Sequence, residues 1–241
     1  GVCAYGNTHG FIGSFPNTRH SISCSVVGES GEDMQRDYYY STARDASELA
    51  TAEQIGQTAA KRTIGRLGAR KIKTTKAAVL YAPEIACGFI NHAISAIGGG
   101  AQYRRSSFLL DAVDEQIFPD FLQILQRPHI PKAMASLPYD AEGVATSDRD
   151  IVIDGVLQSY ILSSYSARRL NLKTTGNAGG AQNLIVSSNA DDMLSIMKTM
   201  KSGLLVHELI GQGINPVSGD YSRGAVGYWI DNGEIAYPVH E

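Results

Sequence analysis

Cysteine is scarce in this 241-residue sequence: only Cys3, Cys24 and Cys87 occur, and none stands in a C-x-x-C pair. An odd number without paired spacing argues against a disulfide framework, and the three read as reduced, mostly buried thiols of a cytoplasmic protein. No apolar run approaches the ~18 residues of a membrane span and no signal peptide is evident, so no membrane association is expected. Charge of one sign is also lacking, with 21 Lys and Arg against 24 Asp and Glu and a formal net charge of −3. Without a basic excess, direct contact with DNA or RNA is not expected. Pairs such as Arg104–Arg105 and Arg168–Arg169 read as solvated surface. There is no G-x-S-x-G, no G-x-x-x-x-G-K-[ST], no fixed-period repeat and no low-complexity linker. The sequence opens without Met and closes on "GEIAYPVHE" inside a strand-like pattern, so an excerpt of a longer protein is expected.

What is present, 43% apolar residues, is enough for a substantial core. "RHSISCSVV" (19–27) and "MQRDYYYSTARD" (34–45) alternate around the turn-like "GESGED", which predicts a hairpin with Gly28 and Gly31 supplying permissive backbone. Tyr38, Tyr39 and Tyr40 cannot all face one side of a strand. Thr51 with Gln54 forms a capping-box pattern ahead of a helix that places Ile55, Ala59, Arg62 or Thr63, and Ile64 near one side, ending at Gly68. "KAAVLYAP" (76–83) reads as a short buried strand, and "EIACGFINHAISAIGGG" as an apolar helix stopped by Gly98 to Gly100. His92 within it reads as a core or surface histidine. Asp154-Gly155 and Asn232-Gly233 signal tight hairpins. "NADDMLSIMKTMKSG" reads as an amphipathic helix capped by Asn189, with Met193, Ile196, Met197 and Met200 as its stripe. Strands flank helices without strict βαβ alternation. The expected fold class is therefore α+β, a mostly antiparallel sheet with hairpins packed against several helices.

Two stretches carry candidate chemistry. In "GLLVHELIGQGIN" (203–215) a His-Glu pair, His207 and Glu208, follows an apolar run as in zinc peptidases. A zinc hydrolase needs at least two or three ligands, an open position for water, and usually a Glu as base. Here Gln212 stands at i+5 from His207. On a regular helix that is about 140° away around the axis, so convergence would need a distorted or ended helix, for which Gly211 and Gly213 are suited. A neutral amide is also a poor zinc ligand beside imidazole or thiolate. The second stretch, "GDYSRG", places Gly219, Asp220, Tyr221, Ser222 and Arg223 on one loop; it either binds a peptide or carboxylate or is a turn satisfied by its own side chains.

Taken in order, "GNTHGF", "TRHSISCSVV", "DMQRDY", "SFLLD", "EGVAT", "SYSARRLNLKTTGNAGG", "GLLVHELIGQGIN" and "SGDYSRGAVGYWIDNGEIAYPVHE" resemble the TldD/PmbA family, and within it the PmbA (TldE)-like branch. The resemblance runs over residues 1–241 and corresponds to the C-terminal part of such a protein, with residues 1–18 a candidate tail of a preceding domain. It implies a cytoplasmic metallopeptidase complex that degrades unfolded or leader peptides, linked by older naming to modulation of DNA gyrase. The implied partner is a TldD-type subunit or the chain itself as a dimer. The metal motif of the TldD branch is H-E-x-x-x-H plus a later Cys, and it is degenerate in the PmbA branch. His207 and Glu208 match its first two positions, while Gln212 replaces the second His; the late Cys would fall beyond Glu241. The resemblance therefore implies a non-catalytic subunit with no metal of its own. The alternatives are an active zinc enzyme with Glu208 as general base, and a regulatory binding protein without hydrolysis.

Overall fold

The computed structural model describes residues 1–187 and 192–240. Asn189, expected as a helix cap, lies outside the described residues. The architecture is α+β with mostly antiparallel sheets, as the patterning predicts.

Two hairpins come first: β1 (Val2–Gly6) with β2 (Ile12–Pro16), and β3 (His20–Ser30) with β4 (Asp33–Ala43). In the second, Ile22, Cys24, Val26 and Gly28 alternate with exposed neighbours, and this more buried face receives α1 (Ala52–Gly65). The helix begins with a complete capping box, Thr51 accepting from the Gln54 backbone and Gln54 from that of Thr51. Ile55, Ala59 and Thr63 are its buried positions, whereas Ile64 is 65% exposed. The 3.6-residue period explains the difference: Ile64 is one step of about 100° past Thr63 and rotates off the stripe. Gly28 is within β3 and not at the turn. A Cβ there would stand 3.0 Å from Thr63 Cγ2, so its bareness lets the helix approach the sheet.

Two four-stranded sheets follow. One has the order β12 (Glu234–Val239), β11 (Gly224–Asp231), β10 (Gly203–Ile210), β5 (Ala78–Tyr81). Its only parallel pair, among the described residues, is β10 with β5. Leu205, Ile230 and Met197 form its core with Leu80, Met200 and Tyr228. The other has the order β8 (Val156–Leu157), β7 (Arg149–Ile153), β6 (Gln123–Gln126), β9 (Leu184–Ser187), over a core of Ile97, Ile124, Ile151, Val152 and Leu157. Both expected tight turns form with positive φ at the two central residues, 49° and 75° at Asp154-Gly155 and 51° and 81° at Asn232-Gly233. Such turns match the strand twist.

Several expectations are corrected. β5 is an edge strand with Val79 45% exposed, not a buried one. Gly98 to Gly100 do not simply stop α2 (Pro83–Ala96); Gly98 caps a further short helix, α3 (Gly99–Tyr103), since small residues suit either end. None of the cysteines is buried: Cys3 and Cys87 are exposed and Cys24 is intermediate. The last helix, α5 (Met193–Met200), is capped by Asp192 and buries Met197, but Met193 is exposed. The short α4 (Ser164–Arg169) starts on a Ser163–Ser166 capping box.

Gly227 sits where β11 faces the irregular part of β10, and a Cβ there would collide with the Leu205 carbonyl and Val206 Cα. Gly227→Ala is expected to cost about 2 kcal/mol or more, read as a lower denaturant midpoint. An unchanged midpoint would show that the ladder relaxes freely.

Candidate functional site

The His-Glu pair is on a strand, not a helix. β10 pairs Val206 with Gly227 and Glu208 with Val226, so His207 is the extra residue of a β-bulge. Consecutive side chains of a regular strand alternate between faces. The bulge breaks that alternation, and His207, Glu208 and Leu209 all line one cavity of about 640 Å³. Asp37 to Tyr40 of β4 form one wall, Arg62 of α1 another, and Glu84 to His92 of α2 a third, with Tyr221 and Arg223 completing it. Four consecutive residues of β4, whose only strand partner among the described residues is β3, line the cavity.

The charges are ordered in pairs. Arg66, the C-cap of α1, forms an ion pair with Glu208, Nη2 to Oε2 at 2.7 Å, and donates Nη1 to Asp37 Oδ2 at 3.2 Å. Arg62 bonds Glu84 at 2.6 Å and lies 4.9 Å from the Tyr39 ring centroid. Asp37 also accepts from the Tyr38 backbone at 2.7 Å. The His207 ring meets Tyr228 edge-on at 5.3 Å. Burial and then the Arg62 charge push the His207 imidazole below its usual range, against the pull of Glu84 and Asp37. Burial acts to raise the Glu84 carboxyl, but the Arg62 bond, a backbone hydrogen bond and the nearby positive charge together outweigh it, and the net shift is downward. Burial and then Asp37 hold the Tyr228 phenol above its usual range.

Gly211, with φ 83°, turns the chain at the end of β10 and leaves Gln212 exposed and outside the cavity wall. The following loop is partly self-satisfied. Asn215 accepts the Val217 N–H, Ser218 donates to Asp220 at 2.6 Å, and Gly219 packs on Phe108. The Ser222 N–H goes to the Gly213 carbonyl. Of Gly219, Asp220, Tyr221, Ser222 and Arg223, only Tyr221 and Arg223 line the cavity. The Tyr221 ring lies tilted against Phe89 at 5.0 Å and meets His92 edge-on at 6.2 Å, and Arg223 Nε donates to the Ile210 carbonyl at 3.1 Å. His92, read from sequence as core or surface, is therefore part of the cavity. The Gly-rich "TGNAGG" (175–180) lies away from this wall, where Asn177 bonds Gln126 and Gln182 and the Ala178 N–H meets Asp140. Sequence reasoning missed Asp37, Arg62, Arg66 and Glu84. Its available signal was two arginines four residues apart, Arg62 and Arg66, which share a helix face.

A zinc centre does not fit this donor set. It asks for three or four His, Cys or carboxylate ligands, and among the described residues no three such side chains come together. Glu208 is already tied to a guanidinium, and Gln212 points elsewhere.

Family comparison connects these features. The model for the PmbA/TldA metallopeptidase C-terminal domain matches residues 74–241, and that for the central domain matches residues 1–67. The chain belongs to the PmbA/TldD metallopeptidase family. It is 48% identical to the metalloprotease PmbA of Escherichia coli O157:H7 and 44% identical to a PmbA homolog of Haemophilus influenzae, with 100% of this chain covered in each. Both alignments take in 54% of the relative, so the chain spans about half the length of the curated relatives it matches. A crystal structure from Bacteroides thetaiotaomicron, named as a candidate modulator of DNA gyrase, superposes with a TM-score of 0.91 at 30% identity over 97% of this chain and 53% of that one. TldE of Thermococcus kodakarensis shares the fold with a TM-score of 0.81, at 18% identity over 96% of this chain and 55% of that one. The PmbA/TldE-like resemblance seen in the motifs is thus shown. The cavity draws its walls from both matched parts, Asp37 to Arg62 from one and Glu84 to Arg223 from the other.

With the His207 pKa depressed, the unfolded chain takes up a proton before the folded one does. Stability relative to a His207→Gln variant should be constant above the ordinary histidine value of about 6.5. It should shrink as pH falls from there through the folded pKa. Denaturant titrations of both proteins across pH read this directly, and a pH-independent difference would contradict the depressed value.

Proposed function

We propose that this PmbA/TldE-like chain is the non-catalytic, peptide- and partner-binding member of a TldD/PmbA-type peptidase, working in the cytoplasm on unfolded or leader peptides. The observation that carries this is the state of Glu208. A general base must have its carboxylate free to take a proton from water, but this carboxylate is held by Arg66 at 2.7 Å. The position of Gln212 outside the cavity supports the same reading. The free edge of β4 suits an extended peptide, because backbone pairing along an edge is tolerant of sequence. Tyr221 and Arg223 would then supply a hydroxyl and guanidinium donors to peptide carbonyls from the opposite wall. Charge balance argues against a nucleic-acid target, and no described helix is long and apolar enough to cross a membrane.

One observation favours a second reading, an active zinc peptidase: His207 and Glu208 do face the same cavity, and the longer relatives leave room for further ligands. A gyrase-modulating binding protein rests only on what relatives are named.

The deciding experiment is peptide hydrolysis by the full-length protein, with and without a TldD-type subunit and a chelator. Cleavage is expected only with the partner, is lost to the chelator, and survives His207→Ala in this chain. Tyr221→Ala with Arg223→Ala should weaken peptide binding about tenfold, roughly 1.4 kcal/mol. Hydrolysis by this protein alone, or stoichiometric zinc lost with His207→Ala, would sink the non-catalytic reading.

A further inference from the structure

The charges on the cavity wall are not matched one for one. Asp37 and Glu208 share Arg66, and Glu84 is held by Arg62. Arg223 is the lining charge with no oppositely charged partner among the described residues. Its guanidinium is held in place all the same. Arg223 directly precedes β11, and its side chain reaches back to the end of β10, where Nε donates to the Ile210 carbonyl at 3.1 Å and Nη2 to the Leu209 carbonyl at 3.4 Å. A guanidinium has five N–H donors in a rigid plane. The two carbonyls occupy its Nε–Nη2 edge and fix that plane, while Nη1 and the remaining Nη2 hydrogen form a second edge that bonds nothing among the described residues. Such an edge matches the two oxygens of a carboxylate.

The neighbouring wall strengthens the fit. Tyr221 is two residues away in the chain, and its ring packs on Phe89, which meets Tyr81 edge-on at 4.5 Å. These rings displace water from one side of the space, and an ion pair beside them is screened less than in open solvent. Two acids on one cation leave surplus negative charge around Arg66, and Arg223 pairs with neither of them. The cavity therefore has one place where an added anion meets an unmatched cation.

We infer that Arg223 is a carboxylate-binding residue, and that the group it seats is a peptide carboxylate, the free C-terminus or an acidic side chain. This inference rests on the reading that the cavity binds peptides, and it gives Arg223 a charge to answer where a backbone carbonyl would offer only a dipole. The two bonds to β10 prepare the fork before the ligand arrives, so little side-chain freedom is lost on binding.

The test measures, by calorimetry, binding of an N-acetylated pentapeptide of alanine and glycine to the full-length protein, as wild type and Arg223→Gln. The peptide is supplied as its free acid, as its C-terminal amide, and as the amide with a central glutamate. Wild type is expected to bind at least one of the two carboxylate forms about tenfold more tightly than the plain amide. Which form gains tells a C-terminus from a side chain. Arg223→Gln should erase the difference while still binding the plain amide. If Arg223→Gln does not fold, Arg223→Lys, which keeps the charge without the fork, takes its place: a reduced preference supports the inference and an undiminished one overturns it. Equal binding of all three forms by wild type, or a preference that persists in Arg223→Gln, overturns this inference alone and leaves Arg223 as a brace between its loop and β10. Failure of wild type to bind any form overturns the peptide-binding reading as well.

Discussion

A single guanidinium, that of Arg66, joins the end of α1 to β4 through Asp37 and to β10 through Glu208. Its worth is positional more than energetic. Pairs with a half-exposed partner contribute about 0–1 kcal/mol, and the Glu208 side chain is 42% exposed. Losing one partner of a buried charge is far more costly than the pair is stabilising, so the three elements are constrained to stay in register with one another. Arg62 repeats the pattern one helical turn earlier, tying α1 to the start of α2 through Glu84. These two contacts carry the helix-on-hairpin unit across to the sheet, and the cavity is the space they leave between.

That origin explains the chemistry of the walls. Acids and arginines both line the space, and burial and the Arg62 charge disfavour protonation of the His207 imidazole. Aromatic rings fill much of the rest: Tyr38 and Tyr40 stack on each other with ring centroids 6.3 Å apart, and Tyr39 lies under Arg62. Such a lining, with hydroxyl and guanidinium donors beside a free strand edge, has more to offer a backbone than any particular side chain.

What could be read from sequence was what is decided locally. The Asp154-Gly155 and Asn232-Gly233 turns and the Thr51–Gln54 capping box each need only neighbours in the chain, and each forms. Gly98 to Gly100 show where local signals become ambiguous, since the same small residues that end one helix begin the next. The site was less legible. His207 and Glu208 could be picked out as a pair, but a helical wheel was the wrong geometry for a stretch that pairs with β5 and β11. Arg66, Asp37 and Glu84 carried no motif at all. Their roles come from contacts 22 or more residues away in sequence, as in Arg62 to Glu84 and Arg66 to Asp37.

The bulge at His207 has a bearing on how this cavity changes by descent. Along a regular ladder, facing follows parity, so a residue's side of the sheet is fixed by whether its distance from a reference is odd or even. One surplus residue between Val206 and Glu208 suspends that rule. Loss of a single codon beside the pair, at Val206 for example, would restore the parity and turn one of the two side chains away, with His207 and Glu208 both retained. The integrity of the His-Glu pair is thus a matter of counting as much as of identity, and insertions or deletions can silence such a site while leaving its letters intact.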